Sequence, residues 1–276
     1  MSKHTSGTTP ILVADTNVSG AWAQTLLHVL DHPGKEISPL VLSVTGFGGA
    51  PVSENADVRD ALDAVLEVRG YPDIETVAFT IFPQRLWEIA NHDRALLFRL
   101  YRDTYPRYRS MEPHKNGRGL YFERLTTSGP ATHDGNQLEH IISEYRGRPG
   151  VRDSMLQASV FDPTRDHVRS AQLGFPCLQH VSFVPVANGG LVLNAFYATQ
   201  QLFDKAYGNY LGLCQLGQFM AHEMGLTFTR FNCFVGVLKL ERIGKQDAQL
   251  APVIASARAH VLAANRAPAG ALAVRT

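Results

Sequence analysis

Two periods alternate along this chain. "PILVADTN" (10–17) and "SPLVLSVTGF" (38–47) are short, β-branched and apolar, which predicts strands. Between them, Trp22, Leu26, Leu27 and Leu30 recur at helical spacing until Pro33-Gly34 stops the run. "NADVRDALDAVLEVRG" (55–70) opens on an asparagine cap and is amphipathic, so it reads as a helix. "IETVAFTIFP" (74–83) is apolar and β-rich and reads as a strand whose start could be the end of a helix. Residues 83–111 read as one long helix with interleaved aromatics and arginines, and 113–121 as a loop leading into Tyr121. "NQLEHIISEYRG" (136–147) follows as a helix and "SMLQASVFDP" (154–163) as a strand.

The second half has a clearer pattern. "CLQHVSFVPVANGGLVLNAFYATQ" (177–200) predicts a β-hairpin turning at Asn188-Gly189-Gly190. A long buried helix (209–225), a long strand (227–243) and a closing helix (249–266) complete the chain. With no internal repeat and no low-complexity linker, this predicts one α+β domain over residues 9–265. Residues 1–8 read as a disordered arm and 266–276 as a loose tail.

Composition narrows the function classes. The 276 residues are 45% hydrophobic and 18% charged, with a net charge of +1, which suits a globular chain and gives no footprint for nucleic acid. The N-terminal "ILVA" is too short for a signal peptide, and no run nears the ~18 apolar residues of a membrane span. The three cysteines, 177, 214 and 233, form no CxxC pair. The histidines at 92, 133, 140 and 180 show no ligand spacing, so no metal site is expected. The sparse, odd cysteine count suits a reducing cytoplasm.

Pro176-Cys177, the hairpin "VANGGLVL", the polar block "FYATQQLF", and Asn209 opening "YLGLCQLGQFMAHEMGL" follow in one order. That order resembles the thymidylate synthase family over roughly 150–245, and more faintly over 75–125 through "IETVAF" and "GRGLYFER". The resemblance implies a large mixed β-sheet covered by long helices, a homodimer packed sheet to sheet, and 5,10-methylenetetrahydrofolate as one-carbon donor. It implies Cys177 as the nucleophile that adds to C6 of a pyrimidine. Asn209 is then the reader of the base, and Glu75 and Tyr121 are the nearest candidates for proton transfer. Hydride from the folate would give a methyl product and water a hydroxymethyl product. An Asn at 209 leans towards a uracil-type face.

The chain also departs from the family. The phosphate-binding Arg-Ser pair aligns with Ala198 and Thr199, and the family's Asp with Gln201. The sugar-binding His and Tyr align with Lys239 and Glu241, and of the paired arginines only Arg152 remains, out of register. Neutral residues replace a bidentate arginine poorly, so dUMP is not the expected substrate. The arginines at 85, 94, 99, 102, 107 and 109 offer either a site for an anion or folate tail or a solvated helix face. Lys239 and Glu241, two apart on one strand face, read as substrate contacts or as a surface ion pair. His180 lies three residues from Cys177, on the opposite face by alternation, which argues against a Cys–His dyad. Cys214 and Cys233 read as core. Two other functions fit this sequence: a non-catalytic binding or scaffold protein that retains the fold, and a cysteine-dependent transferase acting on another heterocycle.

Overall fold

The computed structural model describes residues 9–48, 51–129, 131–169 and 176–266. The arm at 1–8 and the tail beyond 266 therefore lie outside the described residues. Among the described residues, seven strands form one mixed sheet: β1 (Ile11–Asp15), β2 (Glu36–Ile37), β3 (Leu40–Val44), β4 (Gln157–Ser159), β5 (Leu178–Val186), β6 (Gly190–Gln201) and β7 (Thr227–Lys239). The order is β1-β3-β7-β6-β5-β4, with β2 paired to the end of β7. β1 runs parallel to β3 and β6 parallel to β7, while the other pairs are antiparallel. The hairpin turns where expected, with Asn188 and Gly189 both at positive φ.

The helices are α1 (Val18–Asp31), α2 (Ala56–Val68), α3 (Ile74–Phe79), α4 (Gln84–Ile89), α5 (Arg94–Met111), α6 (Pro113–Asn116), α7 (Tyr121–Thr127), α8 (Gln137–Gly147), α9 (Pro163–Asp166), α10 (Tyr207–Met224) and α11 (Ala251–Arg266). α10 is buried almost all round, which is how a helix apolar on every side is accommodated. Among the described residues, no helix is long and apolar enough to cross a membrane.

Four sequence expectations are corrected. "IETVAFTIFP" is not a strand. Asp73 caps it through the Thr76 amide, and α3 then docks on two glycines of α10. A Cβ at Gly208 would stand 2.6 Å from the Val77 Cβ, and one at Gly212 2.6 Å from the Ala78 carbonyl oxygen. The docking surface therefore lies more than 120 residues away in sequence, and local composition could not reveal it. The single helix over 83–111 is two helices, because Asn91 and His92 take positive φ and Asp93 starts a new helix by accepting from the Leu96 amide at 3.0 Å. The segment 113–121 is not all loop: α6 lies within it, and Tyr121 is the first residue of α7. The strand read over 154–163 shrinks to Gln157–Ser159.

One feature of the sheet shapes the site. Buried residues alternate along β6 from Leu191 to Tyr197 and along β7 from Phe231 to Val235, and the next buried positions are Gln200 and Leu238. Tyr197 pairs with Val235 and Gln200 with Leu238, so both strands slip by one residue at the same register. The slip turns Ala198 and Thr199 outward beside Cys177. The helices cover one face of the sheet. On the other, a polar ladder runs from Ser43 to Asn232 (2.8 Å), to Asn194 (2.9 Å) and to Ser182 (3.3 Å). Beside the ladder, Phe196 and Phe234 stack at 5.6 Å and stay 41% and 42% exposed.

Candidate functional site

Cys177 immediately precedes β5. Its carbonyl accepts from the Ala198 amide at 3.1 Å, which pins it to the end of β6. The Thr199 hydroxyl lies 3.7 Å from its sulfur. Unlike Cys214 and Cys233, which are sealed in the core, Cys177 is partly exposed. Burial pushes the Cys214 and Cys233 thiols up, which makes them poor nucleophiles at neutral pH. Residues 170–175, next to Pro176, lie outside the described residues.

Tyr121 reaches the same place from α7. Burial first, and the Cys177 charge second, raise its phenol above the ordinary tyrosine range, while the backbone amides of Leu178 and Cys177 oppose the shift. α7 is anchored by Arg124, a buried arginine that pairs with both carboxylate oxygens of Asp166 (2.6 and 2.8 Å) and donates to the Val160 carbonyl at 3.0 Å. The pattern "GRGLYFER" by itself assigns Arg124 no role. Its partner lies 42 residues on, and no local spacing shows it.

Asn209 sits in the first turn of α10 and is 4% exposed. It does not act as the N-cap, and no hydrogen bond joins its amide to another described residue. Glu75 is drawn into a separate network. Its carboxylate pairs with Arg59 at 2.6 Å, and Arg59 also holds Glu54 at 2.7 Å. Tyr207 donates to Glu54 at 2.9 Å and sits 2.6 Å from the Ser19 hydroxyl. Burial raises the Glu54 carboxyl above its usual range, against the pull of Arg59. Burial alone would weaken the Arg59 charge, but Glu75 and Glu54 outweigh it and hold Arg59 above its ordinary range. Glu54 and Arg59 stand five residues apart around the start of α2, but Tyr207 lies 153 residues from Glu54, and no local spacing shows the network.

The substrate-side candidates form a row at this end of the sheet. Thr199 faces Cys177, and two residues along β6 Gln201 donates to Glu241 at 3.1 Å. Lys239, the register partner of Gln201, pairs with Glu36 at 3.3 Å. The Lys239–Glu241 ion pair considered from sequence is therefore not formed. Arg152 is exposed ahead of β4, and its side chain has no partner among the described residues. Of the arginines in 85–109, Arg94 is committed to Glu139 and Glu223, while Arg85, Arg99, Arg102, Arg107 and Arg109 are exposed. β5 slips between Leu178 and His180, so simple alternation does not hold there, yet no hydrogen bond joins His180 to Cys177 among the described residues.

Chemically, the site is a partly exposed thiol edged by neutral hydroxyls. Among the described residues no lysine or arginine hydrogen-bonds to Cys177, Thr199, Tyr121 or Asn209, and no group of three or more His, Cys, Asp and Glu could hold a metal ion. No family model matches the chain, and no curated protein matches it.

Proposed function

We propose that this chain is a thymidylate synthase-like enzyme that transfers a one-carbon group, as methyl or hydroxymethyl, to C5 of a pyrimidine. The observation that carries this reading is the setting of Cys177, which alone of the three cysteines reaches the surface, at a strand end, with a hydroxyl on its sulfur. The thiolate lone pair forms an S–C6 bond, and the C5=C6 electron pair moves to the C4 oxygen. The resulting enolate makes C5 nucleophilic. The unengaged Asn209 amide suits that oxygen as donor. Tyr121, kept protonated, serves as a donor beside the sulfur.

The proposed one-carbon donor is 5,10-methylenetetrahydrofolate, which would supply the carbon unit when bound. The exposed arginines of α5 fit its anionic tail in charge. The aromatic stretch of α5 packs against α7: the Tyr101 ring meets Phe122, the residue after Tyr121, at 4.7 Å. The order of the elements supports the family reading, since the strand after Pro176-Cys177, its hairpin partner and the last strand are sheet neighbours, with the Asn-bearing helix packed on the latter two. The open face with Phe196 and Phe234 suits a second copy of the chain, packed sheet to sheet. We place the protein in the cytoplasm, on its free cysteines.

The neutral row Ala198, Thr199 and Gln201 points to a pyrimidine lacking the ordinary 5′-phosphate. Release of tritium from C5-labelled deoxyuridine and dUMP tests this. Turnover of the nucleoside, lost in Cys177→Ser, supports the reading, and an Ala198→Arg variant should improve dUMP binding. Fast turnover of dUMP by the natural chain would refute the substrate assignment.

A second reading, a non-catalytic binding or scaffold protein, is favoured by one observation: Glu75, the expected proton-transfer carboxylate, is tied to Arg59. Absence of turnover with every pyrimidine tried, together with an unreactive Cys177, would favour it.

A further inference from the structure

His92 and His222 belong to segments far apart in sequence, and the fold sets both against one indole. The His92 ring meets Trp87 edge-on at 4.5 Å, the His222 ring meets it edge-on at 5.5 Å, and the two imidazoles lie 6.1 Å apart. Both histidines are exposed, while Trp87 is buried. His92 reaches this place because it follows Asn91 through a left-handed turn between α4 and α5, a backbone that residues other than glycine adopt rarely. The turn closes where the His92 amide donates to the Trp87 carbonyl at 3.0 Å. His222 lies in the last turn of α10, with its Nδ1 3.1 Å from Glu223 Oε1. Glu223 is buried, and Arg94 donates to its other carboxylate oxygen at 3.0 Å. A carboxylate paired with arginine only accepts, so the His222 Nδ1 carries the ring proton and Nε2 keeps its lone pair. We propose that His92 and His222 hold a divalent transition-metal ion, with Glu223 as the positioning residue that orients the His222 ring.

A carboxylate on the second nitrogen of an imidazole is the usual support of a metal-bound histidine. With metal–nitrogen bonds of about 2.0–2.1 Å, two rings on one tetrahedral ion stand about 5 Å apart, centre to centre. The 6.1 Å spacing closes to that through small rotations of two exposed side chains. Two imidazoles favour zinc, nickel or copper over magnesium or calcium. The positive charge of Arg94 is balanced by Glu139 and Glu223. No third His, Cys, Asp or Glu completes the set among the described residues, so the remaining positions on the ion are open to water or to an outside ligand. The ion would tie the α4–α5 junction to the end of α10. Two other histidine pairs lack this arrangement. His28 and His32 stack nearly parallel at 3.7 Å, and the His32 Nδ1 lies 2.9 Å from the His28 carbonyl oxygen. His133 and His140 lie 5.4 Å apart, but the His140 Nδ1 is buried with no partner among the described residues. The inference does not depend on the proposed function.

The test is calorimetric titration of the full-length chain with Zn²⁺, in a Cys177→Ser background so that the exposed thiol does not compete for the ion. A single ion should bind. His92→Ala and His222→Ala should each weaken binding by about tenfold or more, and Glu223→Gln by about 10- to 100-fold, the usual worth of such a supporting partner. His32→Ala and His133→Ala should leave the affinity unchanged. No uptake, full affinity in His92→Ala or His222→Ala, or an equal loss in His32→Ala or His133→Ala would overturn the proposal. Should Glu223→Gln fail to fold, the natural chain gives the answer through diethyl pyrocarbonate modification read by peptide mass spectrometry. Zn²⁺ should protect His92 and His222 and leave His28 and His32 as reactive as before. No protection at His92 and His222, or equal protection of all four, would refute the site. Zinc bound at His92 and His222 in a chain that turns over no pyrimidine would uphold this inference while defeating the proposed function.

Discussion

The Thr199 hydroxyl stands 3.7 Å from the Cys177 sulfur, and this contact exists because β6 and β7 slip together. Without the slip after Tyr197, strict alternation would turn Thr199 to the helix-covered side of the sheet. The chemistry of the thiol is thus tied to an irregularity shared by two neighbouring strands. A Thr199→Val substitution should slow Cys177 alkylation a few-fold at neutral pH while leaving Cys214 and Cys233 unlabelled in the folded chain, as read by peptide mass spectrometry.

The buried Arg124–Asp166 pair should set the acid limit of the fold near the site. Burial by itself would raise the Asp166 carboxyl, but hydrogen bonds from Arg124 and the Asp162 amide outweigh it and hold the group below its usual range. A carboxyl lowered on folding stabilises above its unfolded value, about 3.9, and that contribution is lost as pH falls through the lower folded value. Asp166→Asn should therefore cost about 3–5 kcal/mol at pH 7, since it strands a buried arginine. Urea unfolding at pH 7 and pH 3 should show the gap from the natural chain narrowing at the lower pH.

The docking of α3 on α10 depends on two missing side chains. Gly208→Ala would bring a Cβ to 2.7 Å from the Ile74 carbonyl oxygen as well as onto Val77. A loss of about 1–3 kcal/mol is expected from such overpacking, measurable by thermal or chemical unfolding. Gly225→Ala, at the left-handed C-cap of α10 where no atom lies within 4 Å of an added Cβ, should lose stability through backbone strain alone.

These two helices also show what could be read from the chain. The hairpin, the buried α10 and the amphipathic α2 were legible because periodicity and turn chemistry act locally. The helical state of "IETVAF" was not, since the glycines that receive it lie on another element. The break at Asn91–Asp93 was not legible either, since the helical pattern runs through it and the positive φ of Asn91 and His92 appears only in the fold. Cys177, Thr199 and Tyr121 were anticipated through the family resemblance, and the structure gathers them at one sheet end. The tie of Glu75 to Arg59 follows from tertiary packing, which spacing does not encode.

The exposed aromatic pair on the open sheet face should mark a self-association surface. Phe196→Asp combined with Phe234→Asp should convert a dimer to a monomer in sedimentation velocity at micromolar concentration. Because both side chains point away from the helix-covered core, the fold should survive by circular dichroism. A natural chain that sediments as a monomer would remove this assignment.

The most direct test of covalent catalysis is mass spectrometry of the natural chain after incubation with 5-fluoro-substituted pyrimidine nucleosides and nucleotides plus 5,10-methylenetetrahydrofolate. Fluorine at C5 blocks the proton loss needed for release, so a ternary adduct should accumulate on the peptide carrying Cys177 and should be absent in Cys177→Ser. Complete recovery of unmodified Cys177 with every such compound, while iodoacetamide still labels it, would contradict the account.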